Sequence, residues 1–434
     1  MKRFITLLSL VTLTSFTIVS CTNDKVNTKA PSVEDYDASE LTPGEHQTKL
    51  EDLAVEFVNY FDPADTRDIV NSFINLSDYL YYGDFPEYYS AMMKDVEHGV
   101  ETLSPDAFMS FATRASEDFV IDINDPDFNP LAGKCYTYND GEWVESNIDS
   151  KAIKFVWDDS VASLSWNNST KWQYDFEDED VNYVVYIPKS ITFVMTINGK
   201  ECVRIEIDIK VADNSKSINL DVVAQVNGGY EVAVSSAADN RGLEAGAHIK
   251  KGGKKLLSSV AVVAINDFTD IDNWLCEYEE FGDTYVYIDP SEYFVENVKS
   301  GAVQLDVLNV SFIAQGDFKN MYHKVEELDD IYGNDGYYDD EKEKKYYNEV
   351  CDLINDNVKA VIIYNDTKEK IADVVMQVTS DSYFGYNEYY IEPILLFPDG
   401  SKYAFEDYFT ERAFGDLFDA IEELAEKFEN VMGW

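Results

Sequence analysis

Val203, Ile205, Ile207 and Ile209 alternate with Cys202, Arg204, Glu206 and Asp208. A period of two puts every apolar side chain on one face, which is the pattern of a strand with one buried side. Ile218, Leu220, Val222, Ala224 and Val226 repeat it, and Tyr230, Val232 and Val234 follow after a short break. Strands joined by such short breaks pair antiparallel, because a parallel crossover needs a dozen residues or more. The hydrophobic faces then set the register, since a slip of one residue inverts every side chain. A two-residue Asn198-Gly199 turn sets Phe193 opposite Arg204 and Met195 opposite Cys202, which mismatches the faces. A three-residue loop, Ile197-Asn198-Gly199, pairs Phe193 with Val203 and Ile191 with Ile205, with Gly199 in the left-handed place. The loop Asn227-Gly228-Gly229 likewise pairs Val226 with Tyr230 and Ala224 with Val232. Lys251-Gly252-Gly253-Lys254 marks another hairpin, leading into residues 256–265.

Further strands are expected over 152–157, 161–166, 183–187, 302–314, 359–364, 371–378 and 389–397, with a turn at Pro398-Asp399-Gly400. Helical spacing rules elsewhere. Thr42-Pro43-Gly44-Glu45 has the spacing of a capping box with proline at the first helical position. Leu50, Leu53, Phe57 and Phe61 follow on one side. Asp62-Pro63-Ala64-Asp65 opens a second helix with Val70, Phe73, Ile74 and Ser77 on its inner side, and Ser104-Pro105-Asp106 opens a third. Residues 317–357 are helical around a Gly333-Asn334-Asp335-Gly336 turn. The last helix runs near 408–432, with Phe414, Leu417, Phe418, Ile421, Leu424, Ala425 and Phe428 inward. The expected class is α+β: a large antiparallel meander with helices packed at both ends. The expected segments are 1–20, a leader; 21–41, a tether; 42–118, helical; 119–316, the meander; and 317–434, a helix and strand segment completing the body.

The chain has 434 residues, 34 Lys+Arg and 83 Asp+Glu, for a net charge of −49. A chain carrying 14% aromatic residues is not disordered despite that charge. Nucleic acid is excluded as a partner, because phosphates require clustered cations. Four histidines, His46, His98, His248 and His323, are too scattered for a metal pair, and no nucleophile elbow or phosphate loop occurs. Asp125, Asp127 and Asn129 have the opening spacing of an EF-hand, but Pro130 and Tyr136 stand where glycine and glutamate are needed. Cys135, Cys202, Cys276 and Cys351 are too far apart for zinc or redox pairs and read as buried thiols. No catalytic residue, metal ligand or cofactor is assigned. Two clusters stand out: the paired tyrosines Tyr81-Tyr82 and Tyr88-Tyr89, candidates for stacking on a ligand such as a sugar, and Lys250, Lys251, Lys254 and Lys255 around a glycine tip, read as a solvated hairpin end.

Lys2 and Arg3 precede 16 apolar or hydroxylated residues, Phe4 to Val19, too few for a typical membrane span and suited to a signal peptide. The run ends in Ile18-Val19-Ser20-Cys21. Here the chain resembles bacterial outer-membrane lipoproteins, including those of the Bacteroidota, in its leader and lipobox alone. The resemblance implies cleavage before Cys21, acyl chains on that cysteine as a membrane anchor, and, with Thr22 next, sorting to the outer membrane. Residues 22–41 are then a flexible tether with a random-coil span of roughly 25 Å. Loss of Lys2 and Arg3 takes the net charge from −49 to −51. Such a surface is repelled by anionic headgroups. The same resemblance implies an O-glycan acceptor pattern of Asp, then Ser or Thr, then a small or aliphatic residue, which Asp159-Ser160-Val161 fits. That site requires Ser160 to be exposed at a hairpin tip.

The expectation for function is an outer-membrane lipoprotein that binds a glycan or an envelope protein without catalysis. The alternatives are a carrier of an apolar ligand in a curved sheet and a carboxylate-based hydrolase.

Overall fold

The computed structural model describes residues 31–82, 119–122, 131–148, 151–175, 182–211, 217–239, 242–265, 278–281, 284–287, 298–332, 340–383, 386–410 and 412–432. The chain is α+β, with extensive, mostly antiparallel β-structure and helices toward both ends. It divides into two compact units, one made of Val26–Asp62 with Ala238–Phe428, the other of Pro63–Ala237.

The second unit opens with a single 3-10 turn, Pro63–Asp65, and helix α2, Arg67–Tyr82; α1, Pro43–Asn59, belongs to the first unit. The strands of the second unit are β1 (Phe119–Asp122), β2 (Lys134–Asn139), β3 (Glu142–Asn147), β4 (Ala152–Trp157), β5 (Ser160–Asp175), β6 (Asn182–Ile197), β7 (Lys200–Val211), β8 (Ile218–Val226) and β9 (Tyr230–Asp239). Neighbours run β3–β2–β4–β5–β6–β7–β8. Two contacts are parallel, β2 with β4 and β1 with the first half of β6, so the meander is not wholly antiparallel. The core gathers Trp157, Ala162, Met195, Cys202 and Val203 under Ile69 of α2.

The β6–β7 turn corrects the predicted loop. It is the two-residue Asn198-Gly199 turn, with φ of 53° and 71°. Two positive φ values in a tight hairpin match the right-handed strand twist. The face mismatch that argued against it is repaired one step on: Cys202 is an extra residue, so Glu201 faces Thr196 and Val203 faces Met195. This bulge shifts the ladder until Phe193 meets Ile205 and Ile191 meets Ile207. The apolar faces meet as the alternation demands, through a bulge instead of a longer loop. The Asn227-Gly228-Gly229 loop lies where expected, with Gly229 at φ 81°. Gly228 is needed there, because a Cβ would fall 2.5 Å from the side chain of Asp65.

The face predicted for α2 is also corrected. Its buried side is Ile69, Ser72, Leu76 and Tyr79, whereas Phe73 and Ile74 are 41% and 43% exposed. Its start lies at Arg67, after the 3-10 turn.

The first unit carries β10 (Gly242–Lys251), β11 (Lys254–Ile265), β14 (Val298–Val307), β15 (Val310–Asp317), β16 (Val358–Tyr364), β17 (Lys370–Tyr383), β18 (Tyr386–Leu396) and β19 (Lys402–Ala404), each antiparallel to the next. A small separate hairpin pairs β12 (Tyr278–Phe281) with β13 (Thr284–Tyr287). The single strand expected over 302–314 is β14 and β15, broken by a turn at Leu308 and Asn309. The helices besides α1 are α3 (Phe318–Tyr332), α4 (Asp340–Asn357), α5 (Phe405–Tyr408) and α6 (Gly415–Met432). The β10–β11 hairpin repeats the device of β6–β7: Lys251 faces Lys254 across Gly252-Gly253, and buried Leu256 is the extra residue. Helix α4 covers the edge of β17 beyond the end of β16, where the Asn355 side-chain amide bonds both the N–H and the C=O of Met376, at 2.8 and 2.9 Å. Leaving such an edge open would invite pairing with another chain.

Helix α1 begins with the predicted capping box. Thr42 accepts from the Glu45 N–H, and the Glu45 carboxylate accepts from the Thr42 N–H at 2.8 Å. Leu50 and Leu53 pack on Ile362, Tyr364, Leu395, Phe397 and Tyr408. The chain just before α1 is built into the sheet as well. Val33 and Tyr36 pack on Ile313, Val361 and Ile363, and Ala38 pairs in parallel with Lys370. The Val33 N–H reaches the Gln315 side-chain oxygen at 2.9 Å. Residues 33–39, expected in the far half of the tether, are therefore part of the folded body.

Candidate functional site

Four consecutive strands of the first unit line up a polar row. His248 of β10 faces Ser258 of β11, Ser258 faces Asp306 of β14, and Asp306 faces Ser311 of β15. Directly opposed residues point to the same side of a sheet, so the four side chains form one stripe. His248, Ser258 and Ser311 are 4%, 5% and 0% exposed.

The two-residue turn at Leu308 and Asn309 sets the Asp306–Ser311 pairing. Asn309 also ties this turn to the one after β16. Its backbone oxygen accepts from the Asn365 N–H at 2.7 Å, and its side-chain oxygen accepts from the Asp366 N–H at 3.0 Å. These bonds bring the Asn365 side chain to Ser311, with Oδ1 2.6 Å from the serine Oγ. Asn309 also holds the Asp366 carboxyl below the usual carboxylate range.

The centre of the row is the Asp306 carboxylate. Ser258 Oγ donates to its Oδ2 at 2.8 Å, Gln304 Nε2 donates to its Oδ1 at 2.6 Å, and Ser311 Oγ donates to Oδ1 as well. Ser311 has a single proton, so it serves either the carboxylate or Asn365 at any moment. Two donors, joined by Ser311 whenever its proton is not on Asn365, satisfy much of the hydrogen-bonding capacity of this half-buried carboxylate.

Histidine, serine and aspartate in one row invite comparison with a nucleophilic triad. There the imidazole stands between hydroxyl and carboxylate, taking the proton of one while oriented by the other. Here the hydroxyl of Ser258 stands in the middle and donates straight to Asp306. That arrangement holds a carboxylate and joins strands; it does not ready a nucleophile. Among the described residues, no group of three His, Cys, Asp or Glu side chains is placed to hold a metal ion.

Several residues singled out from the sequence have other settings. Ser160 does begin a strand after the Asp158-Asp159 turn, but it is 5% exposed and its Oγ accepts from Ser72 at 2.7 Å. The exposed hydroxyl on which an O-glycan acceptor there depends is not found. The reason is α2, which lies over the start of β5 and seats Ser72 on it.

Tyr81 and Tyr82 end α2, while Tyr88, Tyr89 and Cys21 lie outside the described residues. The neighbouring Tyr79 shows how tyrosines are used here. Its ring stacks on Tyr138 with centroids 4.1 Å apart, and its hydroxyl donates to Asp158 at 3.0 Å. Tyr138 leans on Trp143, and Trp143 meets Phe155 edge-on. These rings pack on one another, as aromatic pairs at such separations do.

The lysine tip is engaged as well. Lys251 Nζ donates to the Tyr60 carbonyl at the end of α1 at 2.9 Å, and Lys254 reaches Glu56 and the Tyr60 hydroxyl. Cations suit a helix C-terminus, where unpaired carbonyls carry partial negative charge. The solvated-tip reading is corrected to that extent. Cys135, Cys202 and Cys351 are buried free thiols; Cys276 lies outside the described residues.

Comparisons with protein-family models, with curated proteins and with solved structures find no match for this chain.

The polar row was missed in the sequence, although one signal was present. Asp306 is the single acid in the apolar run Val303–Phe312, with Gln304 and Ser311 nearby. An acid among strand residues that face a core needs donors, but nothing local says which strands supply them.

Proposed function

We propose that this chain is an acidic, lipid-anchored protein of the bacterial outer membrane that serves as a binding module for a glycan or an envelope protein and does no chemistry of its own. The leader and Cys21 supply the anchor. The observation that carries the reading is the seating of residues 33–39 on the sheet of the first unit. Residues 22–30 separate Cys21 from the first described residue. From Cys21 to Val33, the first seated residue, the chain reaches about 40 Å when fully extended, so an acylated Cys21 keeps that seat within about 40 Å of the bilayer. A net charge of −51 after cleavage resists collapse onto anionic headgroups. A body held near a surface but repelled by it is presented to other envelope components.

Cys21→Ala separates the anchor from the fold. The variant is expected to lose its acyl chains and leave the outer-membrane fraction while keeping its fold; membrane partition equal to wild type sinks the anchor. The binding claim is tested on the mature lipidated protein with glycan arrays and envelope extracts, alongside glycoside, peptide and ester substrates. Saturable binding without turnover is expected. Sequence-dependent turnover refutes the non-catalytic reading, and co-purifying stoichiometric lipid replaces it with the carrier.

A further inference from the structure

Under α1 lies a titratable group that the candidate site does not use. His46 is 0% exposed. Its Nδ1 is 2.9 Å from the Tyr364 hydroxyl, and its Nε2 is buried with no hydrogen-bond partner. The imidazole stacks near Phe397 and leans on Tyr364, with centroids 6.0 and 5.6 Å away. A neutral imidazole has one N–H and one lone pair. Tyr364 satisfies one nitrogen, and the other sits in apolar surroundings whichever tautomer forms. A second proton makes both nitrogens donors and adds a full charge where Nε2 has no acceptor.

The charged and titratable groups around the ring come from every element packed on it. From α1, Glu45 favours the proton and Lys49 opposes it; the Lys49 ammonium stands 3.5 Å from the centre of the Tyr364 ring. From the turn after β16, Glu369 favours it, and Asp366 lies near Lys49. From β16 comes Tyr364, with Tyr408 of α5 packed behind Phe397; burial pushes both phenols up, so they stay neutral. His46 also sits in the first turn of α1, where the helix dipole disfavours a cation. Burial is the largest influence and Lys49 the next, and together they hold His46 below its ordinary 6.5.

We infer that protonation of His46 releases α1 from the sheet of the first unit, making this helix an acid-sensitive clasp at the anchored end of the chain. Leu50 and Leu53 leave their seats on Phe397 and Tyr408 in the open form. Calling this end anchored rests on the reading above; the release does not, and with residues 33–39 still seated ahead of α1 it leaves the tether's length unchanged. The direction follows from linkage. A histidine lowered in the folded state binds fewer protons there than in the open state, so its contribution to stability is complete above 6.5 and is lost as pH falls below it. Within that window one proton is linked to opening, so the open fraction grows by up to about tenfold per pH unit.

The test is hydrogen exchange over residues 43–59 of the full chain at pH 7.5 and 5.0, corrected for intrinsic exchange rates, in wild type and in His46→Gln, which bonds but does not titrate. Protection of α1 in wild type is expected to fall, by up to about thirtyfold, while α2 is unchanged, and His46→Gln is expected to hold its protection. Full protection of wild-type α1 at pH 5.0, or equal loss in the variant, overturns the inference. If His46→Gln does not fold, the imidazole C2 proton of wild-type His46 decides. Titration below 6.5 together with α1 opening supports the clasp, and titration at or above 6.5 with α1 still protected refutes it. Loss of the anchor is read separately by membrane partition of Cys21→Ala.

Discussion

Helices α1 and α2 follow one another in the chain, and each lies on strands with a polar contact buried beneath it. Under α2 the contacts turned toward the core join neutral groups, and the one carboxylate it meets, Asp158, is met at its exposed side. Ser72 donates to Ser160, the Trp157 indole donates to the Ser72 carbonyl at 3.1 Å, and the Trp143 indole donates to the Tyr79 carbonyl at 3.0 Å. The two indole bonds fall seven residues apart, two turns along one helix face. Under α1 the buried polar group is His46, with one nitrogen bonded and the other orphaned. Both helices are held mainly by apolar burial. They differ in whether the polar contact beneath them changes with pH. A hydroxyl and an indole keep their protons across the physiological range, and an imidazole does not.

The largest break in this comparison is Trp157→Ala. It empties a fully buried site and removes the indole bond to α2, and is expected to cost about 3–5 kcal/mol. Urea denaturation with exchange mapping checks it: α2 loses protection, α1 keeps it, and the loss is the same at pH 7.5 and 5.0. Equal loss on α1 shows that the helices do not respond independently. Tyr364→Phe is next. It leaves His46 with two orphaned nitrogens and is expected to cost about 1–3 kcal/mol at pH 7.5, read from the denaturation midpoint. Acid then opens α1 at least as readily as in wild type, because the imidazolium of the variant lacks an acceptor at both nitrogens. Thr42→Ala is the smallest, at about 1 kcal/mol. It removes the cap of α1 and should raise exchange across 43–59 without changing its dependence on pH. A changed pH dependence assigns the acid response to the cap and away from His46.

Much of the local structure was legible in the sequence. The capping box of α1, the strands over 152–157 and 359–364, and the glycine hairpins follow from signals confined to a few residues. The misreadings have physical causes. An Asn198-Gly199 turn mismatches two faces in a regular ladder, and the bulge at Cys202 that restores the match adds a residue outside the turn. On α2, Phe73 and Ile74 looked inward because they are the large apolar residues, but the buried stripe runs through Ser72, whose hydroxyl and carbonyl find partners across the interface. Ser160 looked exposed because turns usually are, and α2 covers it.

The sequence by itself determined the class of fold, the alternation of strands, the capping box of α1 and the acidity. Each depends on residues within about two turns of one another, where propensity, period and charge act directly. Tertiary structure decided which unit each helix joined, the bulged registers, the seating of residues 33–39, the burial of Ser160 and the pairing of His46 with Tyr364. It also assembled the row His248–Ser258–Asp306–Ser311 from four strands. These depend on contacts between residues far apart in the chain. Their partners are fixed only once registers and bulges have placed every strand, because one residue of slip turns a buried side chain into an exposed one.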